Sequence, residues 1–414
     1  MLRSQVKLSY HTKTQREDDN AHMNPITSLL EMGDMEVIAV KNGTDSICLA
    51  VEKKQETQVC PRCGALTELV HDYRTQRVRD LPVQGKKVYW DYRKRRYRCS
   101  CCEKRFYEKC PLLPKYHRIT NRVAFSALDE LSRKQSMKDI AERLNVSSSS
   151  VARYLRNQHF GRPDTLPEVI SIDEFRGNTE FGRFQTIITD LKRQKVFDIL
   201  PNNEEHTIFE YFRRFENRDR VRYFVSDMKK EYVRIAKLLF PNATIVTDRF
   251  HVLRYACFAL ENVRKRVQKD LSREFRLYFK RSRLLLLKHR DKLTPFSMNR
   301  VSRMLEICPD LRDAYLLKEK MYSLFASEDY ETAKKRFSEF MLFAGVAEIP
   351  EYRECTTMMT NWAPLILNAF RCRYSNGFTE GCNNTIKVIK RTGYGYRNFE
   401  NFRSRILMIL NRGK

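Results

Sequence analysis

Apolar and polar positions change period several times along this chain, and each change predicts a different element. Residues 35–51 alternate, with Val37, Ile47 and Leu49 among the apolar positions, which predicts a strand pair turned at Asn42-Gly43. Residues 87–92 are again strand-like. Over residues 119–131 the placing of Val123, Leu128 and Leu131 predicts a helix. A second helix carries Ile140, Ala141 and Leu144 behind Ser136, a residue suited to an N-cap. After Asn145-Val146 a serine run leads into a third helical stretch over 151–156. Gly161-Arg162-Pro163, followed by Pro167, then breaks the chain and marks a linker. Beyond it, β-branched runs predict strands at 169–175, 183–190, 195–200, 221–226 and 243–248, with helices at 205–217 and 229–239. Residues 252–370 are almost wholly helical in pattern, with Leu284 to Leu287 as a buried stripe.

This pattern predicts a multidomain α+β protein. Residues 1–22 are polar and aperiodic, as expected of a disordered lead, and Met23 is an alternative start. Strands and a cysteine-rich module occupy 23–110, and a three-helix module occupies 115–160. The β-β-β-α-β-α-β order of 168–251 is that of an RNase H-like core. An all-α insertion (252–370) then separates that part from a closing segment, 371–414, which carries a helix from near Thr379.

Charge narrows the partner. The 414 residues hold 78 Lys and Arg against 51 Asp and Glu, a net charge of +27 with a pI near 9.7, which implies a polyanion and by default nucleic acid. Between Arg74 and Arg118, 15 basic residues face 4 acidic ones, a concentration above an even spread. The alternative is a merely solvated face. No apolar run approaches the roughly 18–20 residues of a membrane span, and the N-terminus lacks a signal-peptide core. Twelve cysteines, several in Cys-x-x-Cys spacing, suit a reducing compartment and a metal better than disulfides. A cytoplasmic, nucleoid-associated protein is expected.

Cys60-Pro-Arg-Cys63 and Cys99-Ser-Cys-Cys102, joined by strands, predict a zinc ribbon in which four thiolates close one tetrahedral, structural Zn2+ site. Cys101 falls inside the second knuckle, so the spacing favours Cys99 with Cys102, and Cys110 is a bystander. Four cysteines without metal are the alternative. The stretch Lys138-Asp-Ile-Ala-Glu-Arg-Leu-Asn-Val146 before the serine run fits a helix-turn-helix, with an ordinary helical hairpin as the alternative. Its second helix would present Ser148, Arg153 and Arg156 to DNA, and Arg95, Arg96 and Arg98 lie in the basic patch. Ser-Ile-Asp173-Glu-Phe and Val-Ser-Asp227-Met each place a carboxylate at the end of an apolar run. Glu380, Asn384, Lys387 and Arg391 share one helical face further on. Hard divalent cations need such oxygen ligands. Asp248 also ends a strand, so spacing alone admits it as the second acid, with His251 three residues on. Asp227 is preferred because the topology puts it at the fourth strand. Asp190 reads as a turn residue, and Trp362 as helix core rather than a platform for a flipped base.

In their order, these motifs resemble those of bacterial insertion-sequence transposases of the ISL3 group. The resemblance runs over about residues 25–414 and includes Thr-Asp248-Arg-Phe-His251-Val, Ser-Asn-Gly-Phe-Thr-Glu380-Gly-Cys-Asn-Asn-Thr-Ile-Lys387 and Lys390-Arg391-Thr-Gly-Tyr-Gly-Tyr-Arg-Asn-Phe399. It implies a DDE triad of Asp173, Asp227 and Glu380 holding two Mg2+ (or Mn2+) ions, with Asp248 and His251 auxiliary. It also implies double-stranded DNA partners, namely terminal inverted repeats and target DNA, with cleavage of the ends and joining of their 3′-hydroxyls. A homodimer is expected, since two ends must be held together. A DNA-binding regulator built on a silent catalytic domain and an RNase H-like structure-specific nuclease are the competing readings.

Overall fold

The computed structural model describes Leu30 and residues 32–158, 160–372 and 374–412. The expected lead at 1–22 and the alternative start at Met23 lie outside these. The chain forms two compact units. One comprises residues up to Leu131 with Met137–Tyr154, and the other Ser132–Ser136 with Leu155 onward.

In the first unit, β1 (Met35–Asn42) and β2 (Ser46–Lys53) form the expected antiparallel pair. Strands β3 (Gln58–Val59) and β4 (Leu66–Thr67) flank the first cysteine knuckle. A long hairpin follows, β5 (Val70–Val83) and β6 (Lys86–Arg98), turned by Gln84 and Gly85 at φ 52° and 77°. Two successive positive φ values give a turn whose twist matches the strands, and the glycine adopts its own without strain. β6 pairs with β2 in parallel and with β7 (Arg105–Tyr107) beyond the second knuckle. Leu49, Val51, Val78, Val88 and Trp90 fill the core. Three helices follow: α1 (Asn121–Leu131), α2 (Met137–Arg143) and α3 (Ser148–Arg156). Buried Asp80 ties α1 to the hairpin, accepting from Thr120 Oγ1 at 2.6 Å and pairing with Arg122.

In the second unit, β8 (Val169–Thr179), β9 (Gly182–Asp190) and β10 (Lys195–Leu200) make an antiparallel meander. Helix α4 (Glu205–Arg213) leads to β11 (Tyr223–Ser226), and α5 (Lys230–Leu239) leads to β12 (Thr244–Thr247). The sheet order is β10-β9-β8-β11-β12, with β11 parallel to both neighbours. Ile172, Phe212, Phe224 and Ile235 lie in the core on one face, and Val169, Val225, Val246 and Ala369 in that on the other.

Helices α6 (Arg249–Lys269), α7 (Arg273–Lys280), α8 (Arg283–Leu287), α9 (Pro295–Ile307), α10 (Pro309–Phe325), α11 (Tyr330–Ala347) and α12 (Arg353–Asn368) follow and share a core of their own. Trp362 packs against that core, as the helix-core reading expected. The expected stripe at Leu284 to Leu287 does not form, because Leu286 is buried while Leu284 is 80% exposed. Four consecutive residues of a helix spread around its circumference at about 100° each, so a single turn cannot bury all of them. The chain returns to the sheet with α13 (Gly377–Thr392) and α14 (Phe399–Leu410).

Helix α14 is anchored by a buried charge. Arg403 Nε donates to Asp198 Oδ1 at 2.7 Å, and Tyr211 Oη donates to Oδ2 at 2.8 Å. The two ionic side chains are 7% and 2% exposed. Removing one partner of a buried pair strands the other charge. Arg403→Ala should therefore destabilise the unit by about 3–5 kcal/mol, measured by urea denaturation. A loss typical of a surface ion pair would show that the Asp198 charge is satisfied without Arg403.

Candidate active site and metal centre

Strand register brings three acids into one row. Ser226 on β11 aligns with Ile172 on β8 and with Thr247 on β12. The next residues are Asp173, within β8, and Asp227 and Asp248, which directly follow the carboxyl ends of β11 and β12, so the three acids stand side by side where ligands of open α/β sheets bind. Asp227 Oδ1 is buried and has no hydrogen-bond partner among the described residues. His251, one turn into α6, sets Nδ1 at 2.8 Å from Asp248 Oδ2 and 3.1 Å from Asp227 Oδ1. Asp248 also caps α6, accepting from the Phe250 N–H. Asp227, Asp248 and His251 keep their ligand atoms within 4.8 Å of one another, a spread one metal ion could span.

Glu380 reaches this row from α13, some 150 residues later. A buried polar seam seats the helix: Ser171 Oγ donates to Asn376 Oδ1 at 2.5 Å, Thr379 Oγ1 donates to Ser171 Oγ at 3.0 Å, and the Thr189 and Thr379 hydroxyls lie 2.8 Å apart. Asn383 Nδ2 donates to Asp173 Oδ2 at 2.8 Å and to the Glu174 carbonyl at 3.3 Å. Asp173 Oδ1 accepts from the Glu174 N–H at 2.7 Å. The neighbouring Glu174 is held by Lys229 and by Tyr232 Oη, the latter at 2.7 Å.

Burial and like charge act together here. Asp173 is pushed up to about 6, first by burial and then by Asp227. Asp227 is raised by burial, with Asp248 adding to it against the opposing His251. Glu380 is raised by burial and by Asp248 and Asp173. His251 is held above its ordinary value chiefly by its hydrogen bond to Asp248. Clustered carboxylates of this kind, one with a buried oxygen that accepts no hydrogen bond, suit hard divalent cations.

The cysteine cluster is as the spacing predicted. Cys60 and Cys102 Sγ lie 3.5 Å apart, as do Cys63 and Cys99 Sγ, and all four lie within 4.8 Å of one another. A zinc with Zn–S of about 2.3 Å sets tetrahedral S···S edges of about 3.8 Å, so the four thiols fit a structural Zn2+. The Arg62 N–H points at Cys60 Sγ at 3.5 Å, the turn of a metal knuckle. Cys101 is exposed and outside the cluster, and Cys110 is buried against Met35 Sδ at 3.7 Å.

Among the expected DNA contacts, Ser148, Arg153 and Arg156 are exposed on α3 while Val151 and Leu155 are buried. Ser147 Oγ accepts from the Ser150 N–H at 3.1 Å, capping that helix. Asn384, Lys387 and Arg391 form an exposed stripe on α13. Arg98 is exposed beside Glu103, and half-buried Arg96 pairs with Asp72 at 3.3 Å. Arg95 departs from expectation. It is 7% exposed, pairs with Glu52 at 3.0 Å and Glu108 at 3.5 Å, and donates to the Lys53 carbonyl. A guanidinium so enclosed braces the sheet and cannot meet a phosphate. The burial phase of β6 slips by one residue between Tyr92 and Arg95, which strict alternation does not reveal. Asp190 closes a turn, accepting from the Arg193 N–H at 3.0 Å. Asn383, Thr379 and Ser171 were not anticipated. Their signal was polar residues on the inner face of α13 and a serine within the apolar opening of β8, Val169–Ile172.

Comparison with known proteins adds family information. Residues 170–406 match the family designated DDE_Tnp_ISL3 and described as transposase. Residues 56–102 match the zinc-finger of transposase IS204/IS1001/IS1096/IS1165. The chain is 27% identical over 366 residues to a Bordetella parapertussis protein named transposase for insertion sequence element IS1001, covering 86% of this chain and 90% of that one. It is 22% identical over 253 residues to a Mycobacterium tuberculosis protein named transposase for insertion sequence element IS1557, covering 55% and 56%. A shorter match, 34% over 109 residues, is to a Lactococcus lactis protein named ATP-dependent protease, and covers 26% of this chain and 33% of that protein.

Two outcomes follow from this geometry. Metal analysis should find one zinc per chain, kept in Cys101→Ser and lost with the folded ribbon in Cys99→Ser. The reverse pattern would exchange the two ligands. A carboxyl raised in the folded state binds its proton more tightly folded than unfolded, so it costs stability as pH rises above its ordinary value, and the cost is complete above about 6. Asp173→Asn should therefore stabilise the metal-free protein at pH 7 by about 1–3 kcal/mol and leave it unchanged near pH 3. Thermal melts at both values check this, and an equal gain at both would remove the carboxylate's charge as the cause.

Proposed function

The chain belongs to the ISL3 family of DDE transposases, and on that premise we propose that Asp173, Asp227 and Glu380 are its metal-holding acids. The observation that carries this reading is the buried Asp227 Oδ1, which accepts no hydrogen bond and has only an ionic contact with His251, beside Asp173 in a row of mutually repelling carboxylates. It also favours Asp227 over Asp248 as the second acid. Asp248 is engaged in two hydrogen bonds, with His251 and with the Phe250 N–H, whereas Asp227 Oδ1 has only the longer ionic contact with the same imidazole.

Two divalent cations, Mg2+ or Mn2+, would supply activation of the attacking oxygen and charge stabilisation of the leaving 3′-oxygen. The chain's own residues do the remainder. Asn383 fixes the Asp173 carboxylate, and the Ser171–Thr379–Asn376 seam fixes the helix that delivers Glu380. His251 bridges Asp227 and Asp248, setting both orientations. Asn384, Lys387 and Arg391 carry the helix face onward from Glu380 and suit the DNA backbone beside the scissile phosphate. In the first step water attacks the phosphorus at the element end and the bridging P–O3′ bond breaks. The freed 3′-hydroxyl then attacks a target phosphodiester in line, one P–O bond forming as another breaks, with no covalent link to protein.

The zinc ribbon and helix-turn-helix would bind the terminal inverted repeats, with Arg153 and Arg156 on the recognition helix. Two ends held together call for a dimer. No helix among the described residues is long and apolar enough to cross a membrane, and the reaction assigns the protein to the bacterial nucleoid.

Asp173→Asn, Asp227→Asn and Glu380→Gln should each abolish cleavage of end DNA while leaving its binding intact, because an anionic ligand is lost at nearly unchanged volume. Gel assays of binding and nicking check both halves. Normal cutting by Asp227→Asn together with silence in Asp248→Asn would transfer the role to Asp248. Changing Arg153 or Arg156 to Ala should cost about 1–3 kcal/mol on end DNA and less on random duplex. Equal losses on both would make these arginines backbone anchors.

A further inference from the structure

The α-helical insertion carries a second basic surface that the reading above does not use. Between Lys269 and Lys292, nine Lys and Arg face three Asp and Glu. Helix α7 is the centre of it. Of its eight residues Phe279 is buried and Tyr278 half-buried against the core, and the other six are exposed. Arg273, Arg276 and Lys280 fall at i, i+3 and i+7, which share one stripe of a helix about 10 Å long. These three and the adjoining Arg281 are exposed and have no acidic partner among the described residues. Other cations of this insertion are neutralised at home: Arg264 by Glu261, and Arg266 by Asp310 and Glu351. Phe275 (44%), Leu277 (64%) and Leu284 (80%) are exposed among the basic residues.

Left in water, a stripe of like charge repels itself and has no structural use here, since it braces no neighbour. A phosphate backbone is the complementary partner. Phosphates follow one another every 3.4 Å of axis along each strand, so a stripe about 10 Å long faces roughly three of them. Reading of the element end falls to the helix-turn-helix with Arg153 and Arg156, so the row of cations on this helix, Arg-Glu-Phe-Arg-Leu-Tyr-Phe-Lys, is left the backbone grip. Of the two DNAs in transposition, the element end has a sequence to be read and the target does not.

We propose that the α7 face, through Arg273, Arg276 and Lys280, binds the sugar-phosphate backbone of target DNA. This rests on the transposase reading for its biological partner, but the contact itself needs neither cleavage nor metal. Arginine modification by phenylglyoxal, mapped by mass spectrometry on the full chain, tests it with a random-sequence duplex in EDTA. Arg273 and Arg276 should become several-fold less reactive with DNA, while Arg193, exposed on the β9–β10 turn, should not change. Arg276→Ala/Lys280→Ala should flatten the salt dependence of random-duplex binding by about 2 in log–log slope. It should also lower strand transfer with end cleavage retained. The same change at Lys334→Ala/Lys335→Ala, exposed on α11, should do neither. Arg273 and Arg276 equally reactive with and without duplex would overturn the proposal, and so would protection that follows protein concentration instead of DNA, which would assign the face to a second copy. A chain inactive in cleavage that still shows the DNA footprint would count against the catalytic reading alone.

Discussion

Repulsion among carboxylates aligned across three parallel strands is the constraint around which the catalytic unit is built. The register of β8, β11 and β12 leaves no freedom: once Ser226 aligns with Ile172 and Thr247, Asp173, Asp227 and Asp248 must stand together. Burial raises the cost, as the upward shifts of Asp173 and Asp227 record. The fold contains that cost locally. Asn383 and the Glu174 N–H satisfy Asp173, His251 lies between the other two acids, and Lys229 and Tyr232 remove Glu174 from the cluster. Asp227 Oδ1 still accepts no hydrogen bond, and its contact with His251 is its only ion pair among the described residues.

The same constraint explains why a long insertion is tolerated between β12 and α13. The helices of the insertion close on a hydrophobic core of their own, so they do not compete for the sheet. The helix that carries Glu380 is then located by short polar contacts whose loss would leave donors and acceptors buried without partners. Ser171, Thr189 and Thr379 are small hydroxyl residues that let a helix lie close to the strand, and their bonds fix its rotation. Rotation decides whether Glu380 points at the acids or away from them.

Much of this was legible in the chain. Two Cys-x-x-Cys knuckles have few structural uses, and spacing favoured Cys99 with Cys102, the pair that stands in the cluster while Cys101 is exposed outside it. Strand order in the core followed from β-branched runs, since each was short, bounded and separated by helical periods. The illegible parts have specific causes. Arg95 looked like a member of a basic run, and only the one-residue slip in the burial phase of β6 turns it inward. Asn384 was expected to act beside Glu380 because it lies on the same face, whereas its neighbour Asn383 faces inward to Asp173. A leucine run that reads as buried cannot reveal that its helix is only five residues long.

The central claim is that residues 173, 227 and 380, remote in sequence, surround one set of divalent ions. Fe2+ substituted for Mg2+, with ascorbate and peroxide, generates hydroxyl radicals at the bound ion and cuts the nearby backbone. The account predicts cuts close to Asp173, Asp227 and Glu380 together, suppressed by excess Mg2+. Cuts confined to the segment from Asp227 to His251, with none at Asp173 or Glu380, would contradict it.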